Sequence, residues 1–259
     1  MNGPATQSAP SIRLRLARRI IRRVIRQAAR RGLANNLLTY SDGTQTRWLD
    51  PEIDRFLKAM DGEVCRLRSQ ADLDALPGFG NAVMVELAAW STAADRSLRH
   101  LGVTPKTAHR VVADLGWDVY RRMLRLSSLP ARLVTRDPGR RLRWTIRALL
   151  VFPFHAPGAP GYAVETWRDG DDILTHFTCC PPQSFVRRVA ETEDDPDTLE
   201  AFRQSWCTYD WPGADLIAGD GKRSHYRRRR TLSHGDTMCD MCWAARSQGR
   251  GSSPHARKT

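Results

Sequence analysis

The sequence predicts an α+β fold, a helical N-terminal half packed on an antiparallel sheet of about four strands with two short helices in the sheet half. Three observations predict it. Apolar residues recur at helical spacing from about residue 12 to residue 152. After the run His155-Ala156-Pro157-Gly158-Ala159-Pro160-Gly161 the texture changes to short alternating segments rich in β-formers. The chain is 259 residues long and 41% hydrophobic, enough to bury a core of its own.

The elements follow in order. Residues 12–33 place Leu16, Ile20, Ile21, Val24, Ile25 and Ala28 on one helical face and arginines on the other. Asp50-Pro51-Glu52 is a cap followed by proline at the first helical position, which predicts a short helix over 51–60. An apolar helix is expected over 81–101, where Gly102 ends it. Thr104-Pro105 opens another that runs to about 127, stopped by Pro130, and Asp137-Pro138 starts one that reaches about 152. Segments 162–167 and 173–180 read as strands turning at Asp169-Gly170-Asp171. Pro181-Pro182 begins a short helix to about 190, and Asp197 caps another over 198–208. Segments 224–232 and 238–244 form a second strand pair turning at Ser233-His234-Gly235-Asp236. This divides the chain into a basic leader with its tail (1–35), one α+β domain (36–247, helical over 50–152 and sheet over 161–245), and a disordered polar tail (248–259).

Charge is unevenly placed. The net charge is +13, and residues 1–41 hold nine arginines and no acidic residue, so the rest of the chain carries only +4. A basic amphipathic helix is read as a docking element for a membrane surface, an acidic partner subunit or an acidic carrier protein through residues 12–33. Nucleic acid is disfavoured because no recognised binding module follows and the body lacks a further basic stripe. On this reading, removing residues 1–35 weakens partner association and leaves the fold intact. The arginines interleave with aliphatics instead of preceding an apolar block, which is not the pattern of a secretory signal. No run approaches the roughly 18 apolar residues of a membrane span. A reducing cytoplasm is therefore the expected setting, and the six cysteines are read as thiols, ligands or core residues.

Four signals converge in the C-terminal half. The second strand ends His176-Phe177-Thr178-Cys179-Cys180-Pro181, and Cys207-Thr208-Tyr209-Asp210 follows. The run Arg230-Thr231-Leu232 then leads to Gly235-Asp236-Thr237-Met238-Cys239-Asp240. Over residues 179–243 this pattern resembles the L-2-amino-thiazoline-4-carboxylate hydrolase family, with Met241 where that family usually has an aromatic residue. The resemblance implies a small-molecule site that uses Cys180, Asp210, Asp240 and Arg230.

The residues can also be read on their own chemistry. Strand parity puts Arg228 and Arg230 on one face and Arg227 and Arg229 on the other. One pair is expected to face solvent, and the other to line a cavity where a guanidinium grips an anionic group, with Arg230 favoured by its motif position. Alternatively, all four resist aggregation on an edge strand. A regular strand places Cys180 on the face of His176, where an imidazole would hold the thiol as a nucleophilic thiolate; the plainer reading is a core cysteine. Asp210, three residues after Cys207, is a general base or a cap for the Trp211-Pro212-Gly213 turn. Asp240 lies opposite Cys239, Met241 and Trp243, pointing to solvent or to the cavity. Glu86 and Trp90, four apart on an apolar helix, are candidates for holding a ligand cation. Cys239-x-x-Cys242 is the sole pair with zinc spacing, but a strand sends the two to opposite faces, so neither a metal nor a cofactor is expected.

These parts suggest an enzyme of natural-product metabolism that acts on C–N or C–S bonds in a ring of an amino-acid-derived substrate. Hydrolysis is the family default. The reverse sense, closure of an aziridine or azabicyclic ring with departure of an anion such as sulfate from a carrier-bound intermediate, uses the same groups. A non-catalytic ligand-binding module, similar to the vinyl-reductase-type domains, and a scaffold subunit are the other classes.

Overall fold

A computed structural model describes residues 11–246 and shows an α+β fold. The expectations for residues 1–10 and 248–259 lie outside the described residues. Helices α1 (Ile12–Asn35), α2 (Asp50–Gln70), α3 (Phe79–His100), α4 (Pro105–Val134) and α5 (Pro138–Val151) form the N-terminal half. A small hairpin of β1 (Leu38–Thr39) and β2 (Gln45–Thr46), which sequence patterning did not reveal, sits between α1 and α2. The C-terminal half holds strands β3 (Ala163–Asp169), β4 (Asp172–Cys179), β5 (Tyr226–Arg228) and β6 (Cys239–Trp243), and helices α6 (Pro181–Thr192), α7 (Pro196–Gln204) and α8 (Asp210–Ala218).

Caps and proline positions set most helix starts. Ser11 accepts a hydrogen bond from the Leu14 N–H at 3.3 Å, and Asp137 accepts one from the Arg140 N–H at 2.6 Å. At α2 the Glu52 carboxylate accepts from the Leu49 N–H at 3.0 Å, so the cap lies one residue before the expected one. Two ends run beyond the sequence expectation. Helix α2 continues through Gly62 because Val64 and Leu67 extend the buried face begun by Ile53, Phe56, Leu57 and Met60. Helix α4 runs through Pro130 to Val134. Proline removes one backbone donor there, but Ser128 and Ala131 are buried against the neighbouring elements and hold the last turn in place.

The four strands pair antiparallel in the order β3-β4-β6-β5, so β6 inserts beside β4 and leaves β5 at the edge. The helices cover one face of this sheet. On the other face β3 is largely exposed, the usual arrangement for a one-sided antiparallel sheet. A large core joins α1 to α4 with α6 and α7. Two smaller clusters lie under the sheet, around Ile146, Ile217 and Trp243 and around Tyr162 and Phe177. Among the described residues no helix is long and apolar enough to cross a membrane.

Helix α1 is packed into the body rather than held apart as a leader. Leu14, Ala28, Ala29 and Leu33 are buried, and Arg18, Arg22, Arg26, Arg30 and Arg31 meet acids of the same chain. Arg22 and Arg26 each reach Asp61 at 2.7 Å, and Arg30 meets Asp54 at 2.5 Å. The Glu86 carboxylate, fully buried on α3, accepts from Arg18 Nε at 3.0 Å, from the Arg68 guanidinium of α2, and from Trp90 Nε1 at 3.1 Å. One buried anion thus ties three helices together. Truncation at residue 35 strips this carboxylate of a partner and uncovers apolar core, so the structure reverses the expectation that the fold survives it.

Removing one member of a buried ion pair leaves the others uncompensated, at a cost of roughly 3–5 kcal/mol. Glu86→Ala is therefore expected to lower the thermal midpoint by about 10 °C, and deletion of residues 1–35 by at least as much. A folded deletion variant with an unchanged midpoint in calorimetry would contradict the packing role of α1.

Candidate active site

The helix-facing side of the sheet closes over a cavity of about 110 Å³. Its floor comes from alternate residues of three strands: Thr175 and Phe177 of β4, Cys239, Met241 and Trp243 of β6, and Arg228 of β5. Its roof comes from helices, through Met84, Tyr120, Leu124, Ile146, Leu149 and Ile217. The walls are overwhelmingly apolar and aromatic, and the polar groups gather where α8 meets the sheet edge.

Asp210, the first residue of α8, anchors that polar end. Tyr226 Oη donates to its Oδ2 at 3.2 Å, and Arg228 Nη1 lies 3.4 Å from the same oxygen. Arg228 Nη2 donates to the Cys207 carbonyl at 2.6 Å, and its guanidinium lies over the Trp211 ring, 4.8 Å from the centroid. The Arg228 side chain is only 7% exposed. Burial pushes the Asp210 carboxyl up to about 6, against the opposing pull of Arg228 and the Tyr226 hydroxyl. A carboxyl poised near neutrality beside a fixed cation suits proton transfer. The Gln183 side chain, in the first turn of α6, also lines the cavity. It is 5% exposed, and its Nε2 is a buried donor without a partner. A ligand acceptor would satisfy it.

Cys180, Cys207 and Cys239 all border the cavity. Burial raises all three thiols, Cys207 to about 11 and Cys180 well above its ordinary value. Cys207 Sγ lies 3.1 Å from Ser233 Oγ, and Cys239 Sγ accepts from the Leu232 N–H at 3.3 Å. They are neutral thiols at physiological pH, so a resting thiolate at Cys180 is not supported. The expected imidazole partner is also on the wrong side of the sheet. Ala163 pairs with Cys179 and Val164 with Phe177, so Thr178 is an extra residue in β4, a bulge. It shifts parity by one, turning Cys180 to the face of Phe177 and away from His176. His176 packs edge-on against Trp167 on the opposite face, with ring centroids 4.5 Å apart.

The other motif residues divide in two. Arg230 and Asp240, expected in the site, lie outside the cavity. Asp240 accepts from the Arg229 and Arg230 N–H groups at 2.9 and 2.6 Å, and Arg230 Nε lies 3.4 Å from its Oδ2. Burial alone would raise Asp240, but those backbone donors and the arginine hold it below the usual carboxylate range. Asp236 accepts from the Thr231 N–H at 2.7 Å, and Gly235 takes the left-handed conformation at φ 93° that a side chain would strain. Residues 230–240 therefore close the β5–β6 hairpin. Strand β5 ends at Arg228, which takes the cavity position expected for Arg230. Glu86 is spent in its ion pairs and does not reach the cavity.

No family model, curated protein or solved structure matches this chain. Sequence reasoning missed Tyr226, Gln183 and Trp211. Tyr226 shares strand parity with Arg228, the one signal that could have placed it. Among the described residues no three His, Cys, Asp or Glu side chains converge as a metal site.

A second cavity of about 170 Å³ lies behind the first, among α1 to α5. Met84, Tyr120, Leu124, Leu149, Phe154, Trp206 and Tyr209 border both. Tyr120 and Tyr209 stack at 5.5 Å in this partition, and Tyr209 Oη donates to the Ala113 carbonyl at 2.9 Å. Gly116 permits that approach, because a Cβ there would overlap the Tyr209 hydroxyl. Trp90, expected in a ligand site, lines this second cavity instead of the first.

A raised carboxyl binds its proton more tightly in the folded chain than in the unfolded one, so it costs stability as pH rises from about 4 to about 6. Asp210→Asn does not titrate. Relative to wild type, the variant should gain roughly 2 kcal/mol between pH 4 and pH 7. Urea unfolding at the two pH values measures it, and a difference independent of pH would refute the raised value.

Proposed function

We propose that this chain is a small-molecule enzyme of the thiazoline-carboxylate hydrolase type, acting on a C–N or C–S bond in a ring of an amino-acid-derived substrate. The observation that carries the reading is the buried Asp210–Arg228–Tyr226 cluster at the end of an apolar cavity. The motif resemblance around Cys180, Cys207 and Asp210 supplies the reaction class.

In this scheme the substrate ring lies among the aromatic walls. The Asp210 carboxylate takes a proton from water as the water oxygen bonds to the ring carbon between sulfur and nitrogen. The proton then passes to the departing ring heteroatom, whose bond to that carbon breaks, and the carboxylate is regenerated. Arg228 keeps Asp210 partly ionised near neutrality and pairs with the substrate carboxylate. Gln183 Nε2 offers a donor to a ring heteroatom. Cys180, Cys207 and Cys239 contribute soft, neutral wall surface.

A second reading is a ligand-binding module. The neutral thiols and the predominance of apolar wall favour it, since binding needs no activated nucleophile.

Incubation with L-2-amino-thiazoline-4-carboxylate, followed by mass spectrometry for the gain of one water, tests the first reading. Asp210→Asn should reduce kcat at least 100-fold, because general-base catalysis contributes about that much. Arg228→Lys should raise KM about tenfold. For the wild type, kcat/KM should rise with pH through about 6 as Asp210 loses its proton. Full turnover by folded Asp210→Asn would remove Asp210 from the mechanism. Saturable binding of the compound with no turnover would favour the binding module.

A further inference from the structure

We infer that the second cavity is a binding site in its own right, for the apolar chain of an amphipathic ligand such as a medium-chain acyl group. This site is independent of the reaction proposed for the Asp210 cavity.

The two cavities differ in chemistry. The rear one is the larger, at about 170 Å³, and its wall is built from Ile25, Ala29, Phe56, Met60, Ala94 and Val119 with no charged side chain. Its polar wall atoms offer little to water. Ser91 donates to the Leu87 carbonyl at 3.2 Å and accepts from Trp206 Nε1 at 3.0 Å, so its hydroxyl is already used. Close-packed interiors rarely leave so large a space, and small side chains at Ala28, Ala29 and Ala94 keep it open. Its volume and uncharged lining are those of a site an apolar group fills.

The mouth can be located as well. The lining residues are buried or half-buried except at one place, where Met123 is 37% exposed, Phe152 is 51% exposed, and Ser127 is exposed too. Met123 and Ser127 are four apart on α4, one above the other, and face Phe152 at the end of α5. Phe79 stacks on Phe152 at 6.1 Å and extends the apolar rim. An apolar chain threading between α4 and α5 enters here, leaving its polar end in water. The opening lies among helices α4 and α5.

The probe is 11-(dansylamino)undecanoate, titrated into the full chain and displaced by decanoate. Saturable fluorescence enhancement and a decanoate-dependent rise in thermal midpoint are expected for the wild type. Ala94→Leu and Ala29→Leu fill the cavity and should each weaken probe binding at least tenfold, with a thermal midpoint equal to or above that of wild type. Ser127→Trp changes an exposed position, so it leaves the core intact, and it should slow probe association at least tenfold. Arg228→Gln, in the other cavity, should leave probe affinity within twofold. The inference is overturned by absence of saturable binding to wild type, by affinity unmoved in folded Ala94→Leu, by an association rate unmoved in Ser127→Trp, or by loss of binding in folded Arg228→Gln, which would place the chain in the first cavity. None of these results depends on turnover, so failure of this site and failure of the Asp210 chemistry are separable.

Discussion

The register of β4 against β6 is the constraint on which the candidate site depends. Pairing of Phe177 with Cys239, and of Thr175 with Met241, sets these side chains together on the helix-facing side. The same pairing places His176 and Asp240 together on the other side. Because strand parity is two, a slip of one residue would exchange the two sets. The buried requirement of one face makes that slip costly: Phe177, Cys239 and Trp243 would exchange a covered surface for the outer one. The Thr178 bulge then acts locally, carrying Cys180 to the covered side just before α6 begins. One irregular residue decides whether that cysteine has a histidine neighbour.

A second constraint is the neutralisation of charge inside the helical half. The chain is strongly basic, yet much of the arginine on α1 pairs with acids of α2 and α3. Glu86 is the focus, a carboxylate taken fully out of water and held by two guanidinia and an indole N–H. Farther along α3, Arg96 meets Glu193 of the α6–α7 connection and Arg99 reaches Asp195 at 2.7 Å, joining the two halves by charge as well as by apolar contact. Such pairs contribute specificity of placement more surely than net stability, because desolvation offsets much of their attraction. Here they fix where α1 and α3 lie, and with them the walls of both cavities.

Those cavities carry a cost. Both leave side chains short of packing partners, which weakens the fold. A buried carboxyl raised to about 6 adds to this. Features that weaken a fold and converge on one region are what a ligand site requires, since pockets and poised ionisable groups both depart from optimal packing.

Much of the architecture was legible in the sequence because it follows from local rules. Proline after a capping residue marked the starts of α4 and α5, helical spacing marked α1 and α3, and alternation with a Gly turn marked β3 and β4. The α+β class and the one-sided sheet follow from the same patterns. Helix α8 was hidden because Trp211-Pro212-Gly213 reads as a turn, although proline is tolerated in a first helical turn. For the site, the sequence by itself pointed to Cys180, Asp210, Asp240 and an arginine of 227–230, of which Cys180 and Asp210 border one cavity. Only the tertiary structure decided that the arginine is Arg228, that Asp240 and Arg230 close a hairpin, and that Glu86 binds the chain's own arginines. The reason is physical: residue type and spacing are local, whereas strand order, a single bulge and the partner of a buried charge are settled by elements far apart in the chain.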